Sequence, residues 1–422
     1  MSLDPDELAA IYRREVGRCT ATLVRVLGDV DRAEDAVADA FAVAAERWAV
    51  DGIPPNPGGW ITTTARNRAI DRIRRESTRG AREREAVVLR GSPAESTEEP
   101  AIRDDALDGD RLDVVADDQL RLVFLCCHPA LGADAQVALT LRLVSGLATA
   151  EIARAFLVPE ATIGQRVSRA KRKIRDSGMA YRIPGADELP SRLAPVLATI
   201  YLVFTEGHTA TTGDDLVRPG LTADAIRIGR TLVDLLPDEP EAMGLLALML
   251  LTQARAPSRI DAAGDLVRLA DQDRSRWDQA LIAEGHGLVR RCLALDRPGP
   301  YQLQAAIAAV HADAPTAADT DWTQIVALYD HLLRFRPNDV VALNRAVAVL
   351  ELEGPAAALD ALDRIDLPSY HLFHATRAEA LQRAGRTGEA VEALERALAL
   401  TSNDAERRHL HHQLQRCQTR PN

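Results

Sequence analysis

Lysine is almost absent: the 422 residues hold two, Lys171 and Lys173, although Lys+Arg number 51. Lysine-based phosphoryl or Schiff-base chemistry is excluded everywhere else. Aromatic residues make up only 4%, and the 46% apolar share rests mainly on Ala and Leu. That mixture favours helices over strands. Cysteines number five, an odd count without framework spacing, which excludes a disulfide-stapled fold and fits a reducing compartment. No apolar run approaches the roughly 18 residues of a membrane span; Met243–Leu251 is too short. The acidic start, Met1–Glu7, lacks a basic-then-apolar signal. The expectation is a cytoplasmic chain with no membrane partner, long enough for two to four domains.

The net charge of −11 conceals segregation. Residues 1–178 carry 26 basic and 29 acidic side chains, leaving 25 and 33 for the remainder. Eight arginines fall between Arg66 and Arg84, six basic residues and no acid lie in Arg166–Arg175, and Gly91–Asp110 between them holds seven acids. Two basic islands joined by an acidic linker suit a polyanionic partner.

Periodicity predicts an all-α protein. Val30, Ala33, Val37, Ala40, Ala44 and Trp48 form one apolar stripe of a helix opening near Asp29, and Asp31, Asp35 and Asp39 form a second stripe. Asp51–Gly59 reads as a loop, with the next helix starting at about Trp60 and carrying Ile61, Ala65, Ala69, Ile70 and Ile73 inward. Ser77–Asp110 loses periodicity and reads as a linker. The expected units are 1–84, an acidic linker 85–111, 112–178, and a helical extension 179–422. Within the extension, Ala378, Gly385, Ala390, Leu394 and Ala397 resemble a tetratricopeptide unit. Pro337, Leu343, Ala346, Gly354 and Leu359 echo it 31 residues upstream.

Leu147–Arg175 carries the sharpest signal. A helix from Thr149 ends before Pro159, and the next buries Ile163, Val167, Ala170 and Ile174 while presenting a polar-basic face. This is a helix-turn-helix. Thr162, Gln165 and Arg166 are placed to reach base edges in a major groove, and Arg169, Lys171, Arg172 and Lys173 to grip phosphates. On the Trp60 helix, Asn67, Arg68, Asp71 and Arg72 share an outer face suited to single-stranded or distorted DNA.

GDVDRAEDAVADAFAVAAERW with GGWITTTARNRAIDRIRRE resembles region two of extracytoplasmic-function sigma factors, and Leu147–Arg175 is similar to their region four. YLVFTEGH, DQDRSRWDQALIAEG, GPYQLQAAIAAVHA and LNRAVAV resemble the subgroup with a tetratricopeptide-like C-terminal extension. The resemblance implies core RNA polymerase and promoter DNA as partners. Core-polymerase binding would fall on Asp35 and Asp39, minus-ten recognition on Asn67, Arg68, Asp71 and Arg72, and minus-thirty-five recognition on Thr162, Gln165, Arg166, Arg169 and Lys173. The family often has Gln where this chain has Ala38, and a small residue where it has Leu157. It also implies a linker running through the polymerase channel, with Glu95, Glu98, Glu99, Asp104 and Asp105 standing in for phosphates. The C-terminal domain would regulate the sigma module by docking on it or by binding a regulatory protein. The competing reading is a helix-turn-helix regulator with a helical interaction domain.

No cofactor, metal or enzyme activity is expected. Cys126-Cys127-His128 lacks chelating spacing and reads as core packing. His371, His374, His409, His411 and His412 have no carboxylate or Cys at suitable offsets and read as surface residues. Glu206-Gly-His208 opens a loop shaped to cup a small ligand or anion but lacks a nucleophile–base arrangement.

Overall fold

The computed structural model describes residues 5–88, 112–156, 158–185, 187–209, 217–261, 265–401 and 403–419. Among them the chain is helical with no strand, as its Ala- and Leu-rich composition predicts. It forms two compact units, Met1–Thr199 and Ile200–Asn422, and the division falls inside one long helix, Leu189–His208.

The first unit begins with α1 (Pro5–Leu27), α2 (Val30–Asp51) and α3 (Pro57–Val88), packed on one another. Asp29 caps α2 by accepting from the Arg32 amide, and the six apolar residues of the expected stripe are all buried. The start of α3 differs from the sequence reading. Pro57 sits in its first turn, where a missing N–H costs nothing, and Asn56 accepts from the Gly59 amide at 2.9 Å. Thus Pro57–Gly59 belong to the helix rather than to the loop. At its other end α3 continues to Val88, through residues expected to be linker, because Ala, Arg and Glu sustain a helix without an apolar face. The five acids proposed to mimic phosphates, and Leu157, lie outside the described residues.

Four helices complete the reader module: α4 (Leu112–Cys126), α5 (Ala133–Leu139), α6 (Thr149–Ala155) and α7 (Glu160–Asp176), with a π-helical turn at Thr140–Val144. Cys126 and Cys127 are fully buried, and burial pushes both thiols up. The first half of α8 (Leu189–His208) also packs in this unit, beyond Gly178 where the domain boundary was expected. Arg192 donates to the Phe124 carbonyl at 3.0 Å. Just before it, the Tyr181 hydroxyl lies 2.7 and 2.9 Å from the carbonyls of Ala21 and Asp118.

Gly17 of α1 lies directly against the backbone of the π-helical turn: a Cβ on Gly17 would lie 2.4 Å from the Val144 carbonyl oxygen. Backbone cannot yield as a side chain does, so Gly17→Ala is expected to cost about 1–3 kcal/mol. Hydrogen exchange of the α1 and α5 amides in the full chain measures the loss, and unchanged protection would contradict the packing.

In the second unit, α9 (Pro219–Leu235), α10 (Pro240–Gln253), α11 (Gln279–Leu295) and α12 (Pro300–Asp313) precede α13 (Trp322–Phe335), α14 (Asp339–Leu352), α15 (Pro355–Leu362), α16 (His371–Arg383), α17 (Thr387–Leu400) and α18 (Asp404–Thr419). Chain neighbours pack as pairs, α12 with α13, α14 with α15 and α16 with α17. The hairpin repeat is visible in the backbone: Gly354 and Gly385 hold φ of +92° and +75° at equivalent turns, which a side chain at Cβ would resist. Buried Ala346, Ala378, Ala390 and Ala397 let the helices approach. The apolar run in α10 is buried on every side, a core helix rather than an amphipathic one.

Several histidines differ from expectation. His374 is buried, its Nε2 2.8 Å from the Pro368 carbonyl, and His371 Nε2 meets Glu406 at 3.1 Å. The carboxylate partner lies on another helix, so local spacing concealed it. Burial and neighbouring arginines lower His311 to about 4 and His208 to about 2. Both stay neutral near pH 7, so their stabilisation is complete above pH ~6.5 and is lost as pH falls toward those lower values. At pH 5 the His311 contribution is about 2 kcal/mol, equivalent to a drop of about 5 °C in the Tm of this unit. Calorimetry at pH 7 and pH 5 checks it, with His311→Leu expected to remove that part of the pH dependence and leave the similar part due to His208.

Candidate nucleic-acid interface

The acidic stripe of α2 and the basic face of α3 border one hollow of about 270 Å³, lined by Asp31, Asp35, Asp39, Arg68 and Arg72 among others. Asp35 and Asp39 are exposed, and Asp35 stands 3.7 Å from the Arg72 guanidinium, with both side chains more than 60% exposed. Such a pair in solvent is worth at most about 1 kcal/mol, so it gives way readily to a stronger one. Farther along the same face, Asn67, Arg68 and Asp71 are exposed, while Ile61, Ala65 and Ala69 are buried beneath them. At the base of α3, Trp60 packs edge-on against Trp48 at 5.4 Å, which ties the preceding loop to α2.

The reader helix α7 buries Ile163, Val167, Ala170 and Ile174. Gln165, Arg169 and Lys173 are exposed and Thr162 and Arg166 half-buried. Arg166 pairs with Asp134 of α5 at 3.0 Å, and Lys173 donates to the Ala130 carbonyl. The preceding helix, α6, opens with Glu151 accepting from the Ala148 amide at 2.7 Å, a cap that sets its entry angle.

Lys171 faces away from any groove. Its ammonium reaches Asp31 at 2.9 Å and Glu34 at 2.5 Å on α2, with the side chain only 12% exposed. Burial alone would lower its pKa, but the hydrogen bonds to Asp31 and Glu34 hold it above the ordinary lysine value. Arg175 joins Asp31 at 3.0 Å, and Arg142 of the π-helical turn joins Glu34. Arg25 and Arg121 both reach the buried Asp118 at 2.8 Å. An ion-pair network therefore binds the reader module to the α1–α3 bundle. Asp31, Glu34 and Arg142 escaped the sequence reading because their partners lie more than a hundred positions away.

Comparison with known proteins agrees with this arrangement. The family profile for sigma-70 region 2 matches residues 11–79, that for sigma-70 region 4 matches residues 121–174, and a family of unknown function (DUF6596) matches residues 192–293. A probable ECF RNA polymerase sigma factor, SigI, of Mycobacterium tuberculosis is 28% identical over 182 residues, spanning 43% of this chain and 59% of that protein. Residues 11–174 carry the two regions of a sigma-70 factor of the extracytoplasmic-function type. An uncharacterized protein of Rhizobium meliloti (strain 1021) is 44% identical over 355 residues, 84% of this chain and 81% of that protein. That stretch is too long for the first unit alone, so the likeness extends into the helical hairpins. In this sigma factor α1–α3 correspond to region 2 and α4–α7 to region 4. No described helix is long and apolar enough to cross a membrane.

Proposed function

We propose that this sigma factor directs initiation at promoters with both a minus-ten and a minus-thirty-five element, and that its helical extension controls the step. Asp35 and Asp39 contact basic side chains of core polymerase. Asn67, Arg68, Asp71 and Arg72 hold the melted minus-ten strand, and Thr162, Gln165, Arg166, Arg169 and Lys173 address the minus-thirty-five duplex. The bond chemistry belongs to the polymerase. On this reading region 2 spans 1–84, the acidic linker 85–111, region 4 112–178 and the extension 179–422.

One observation carries the reading: the polar faces of α3 and α7 are exposed while their apolar faces are buried, so the polar side chains are not there to build the core. Arg166 pairs with Asp134 and Arg72 with Asp35, acids that a phosphate or base edge can displace.

The test is run-off transcription by core polymerase with the full chain, on promoters selected from randomised duplex DNA. Arg166→Ala is expected to relax discrimination at one minus-thirty-five position by about 1–3 kcal/mol, and Asn67→Ala to slow opening without changing duplex binding. Specific duplex binding with no core-dependent transcript would favour the helix-turn-helix regulator instead.

A further inference from the structure

The second unit contains a cavity of about 550 Å³ between α14, α16, α18 and the segment Leu266–Ala270, within the range of small-molecule sites. Its walls are mostly apolar: Leu269, Trp322, Val347, Leu350, Leu372 and Leu410. Two of these, Val347 and Leu372, remain 37% and 42% exposed, apolar surface that the fold itself does not cover.

Charge pairs border the cavity on one side. Arg268 reaches Asp271 at 2.8 Å and Glu379 of α16 at 3.6 Å, and Arg408 of α18 reaches Asp265 at 2.9 Å. Arg268 and Glu379 belong to the lining itself, and a volume of about 550 Å³ fits a compact molecule.

Charge composition narrows the ligand further. Three arginines (Arg268, Arg274, Arg383) face three glutamates (Glu351, Glu379, Glu406), so the formal charge of the lining is zero. Arg383 holds Glu351 at 2.7 and 3.0 Å and Glu379 at 3.0 Å. Arg274 donates to the carbonyls of His311 and Ala314 and to Thr320. A ligand with net charge would enter a largely apolar site and compete with these bonds for a counter-ion. The aromatic corner of His311 and Trp322, with ring centroids 5.3 Å apart, suits a flat apolar group. Around it Thr376 and Gln413 offer uncharged donors and acceptors.

We infer that the helical extension is a receptor for a compact amphipathic small molecule of no net charge, which seats a planar apolar portion against Trp322, Leu350 and Leu372. The inference stands apart from promoter recognition, and its test involves neither polymerase nor DNA.

The experiment titrates the full chain with N-phenyl-1-naphthylamine, an uncharged planar fluorophore, and with its sulfonated relative 1-anilinonaphthalene-8-sulfonate. The uncharged probe is expected to saturate at one site per chain, with energy transfer that falls in Trp322→Phe, and the anionic probe to bind about tenfold more weakly. Ala375→Phe, which fills the chamber, and Leu372→Glu, which charges its wall, should each weaken uncharged-probe binding by about tenfold or more. Leu293→Glu, at a 72% exposed leucine outside the chamber, should leave it unchanged. Circular dichroism confirms the helical fold of each variant. Non-saturable binding, equal affinity for the two probes, or wild-type affinity in both chamber variants would overturn the inference.

Discussion

Asp35→Arg/Asp39→Arg is expected to reduce core-dependent run-off transcription about a hundredfold or more. Like charges placed across a protein interface cost several kcal/mol, and two reversals on one helix face compound the cost. Both carboxylates are exposed, and the ion pair of Asp35 with Arg72 at 3.7 Å is too weak to support the fold. Helix content and thermal midpoint should therefore be preserved, as should affinity for minus-thirty-five duplex measured without polymerase. Co-sedimentation with core polymerase separates the outcomes. Loss of transcript together with loss of the complex places the contact on α2, whereas an unaltered complex and transcript would remove Asp35 and Asp39 from the polymerase interface.

The second large effect concerns the network between the two sigma regions. Asp31→Ala/Glu34→Ala releases Lys171, Arg175 and Arg142 together, because all three converge on those two acids. With their partners gone, Lys171 and Arg175 become available to phosphate. Duplex affinity is expected to rise about tenfold at low salt, and the dependence of log K on log salt to steepen by about one to two units. Small-angle scattering should show at most a slightly larger radius of gyration, since Arg25 on Asp118, the Tyr181 hydroxyl on the Ala21 carbonyl and the packing of Gly17 on Val144 still join the modules. Equal affinity and an unaltered salt slope would show that these cations play no part in DNA binding. The measurement uses DNA alone because Asp31 and Glu34 share α2 with the acids proposed to face polymerase.

Local pattern made much of this legible. The six-residue stripe of α2 and the four buried residues of α7 follow from helical spacing, since burial of one face is decided within a few turns. Gly354 and Gly385 read as small residues of a repeat, and the structure sets them at turns whose backbone glycine takes readily. What escaped were contacts made across the fold. Lys171, read as a phosphate grip from its place in a basic run, is held by α2, and His371 finds Glu406 on another helix. Pro57 and the two glycines after it look like helix breakers, yet Asn56 caps them into the first turn of α3. The residues proposed to read the promoter lie on polar faces as spacing predicts, but their pairing with Asp134 and Asp35 depends on helix packing that no local window contains.

The shortage of lysine has a consequence for how the DNA-reading surface keeps its charge. Arginine cannot lose its proton under any condition a cell reaches, so the basic face of α3 is electrostatically constant. The two side-chain amines both lie on α7, one 12% exposed beneath α2 and the other on the open face. Acylating reagents that act on lysine therefore have two addresses, both within the reader helix. The accessible one is Lys173, and Lys171 comes within reach only as the two sigma regions separate.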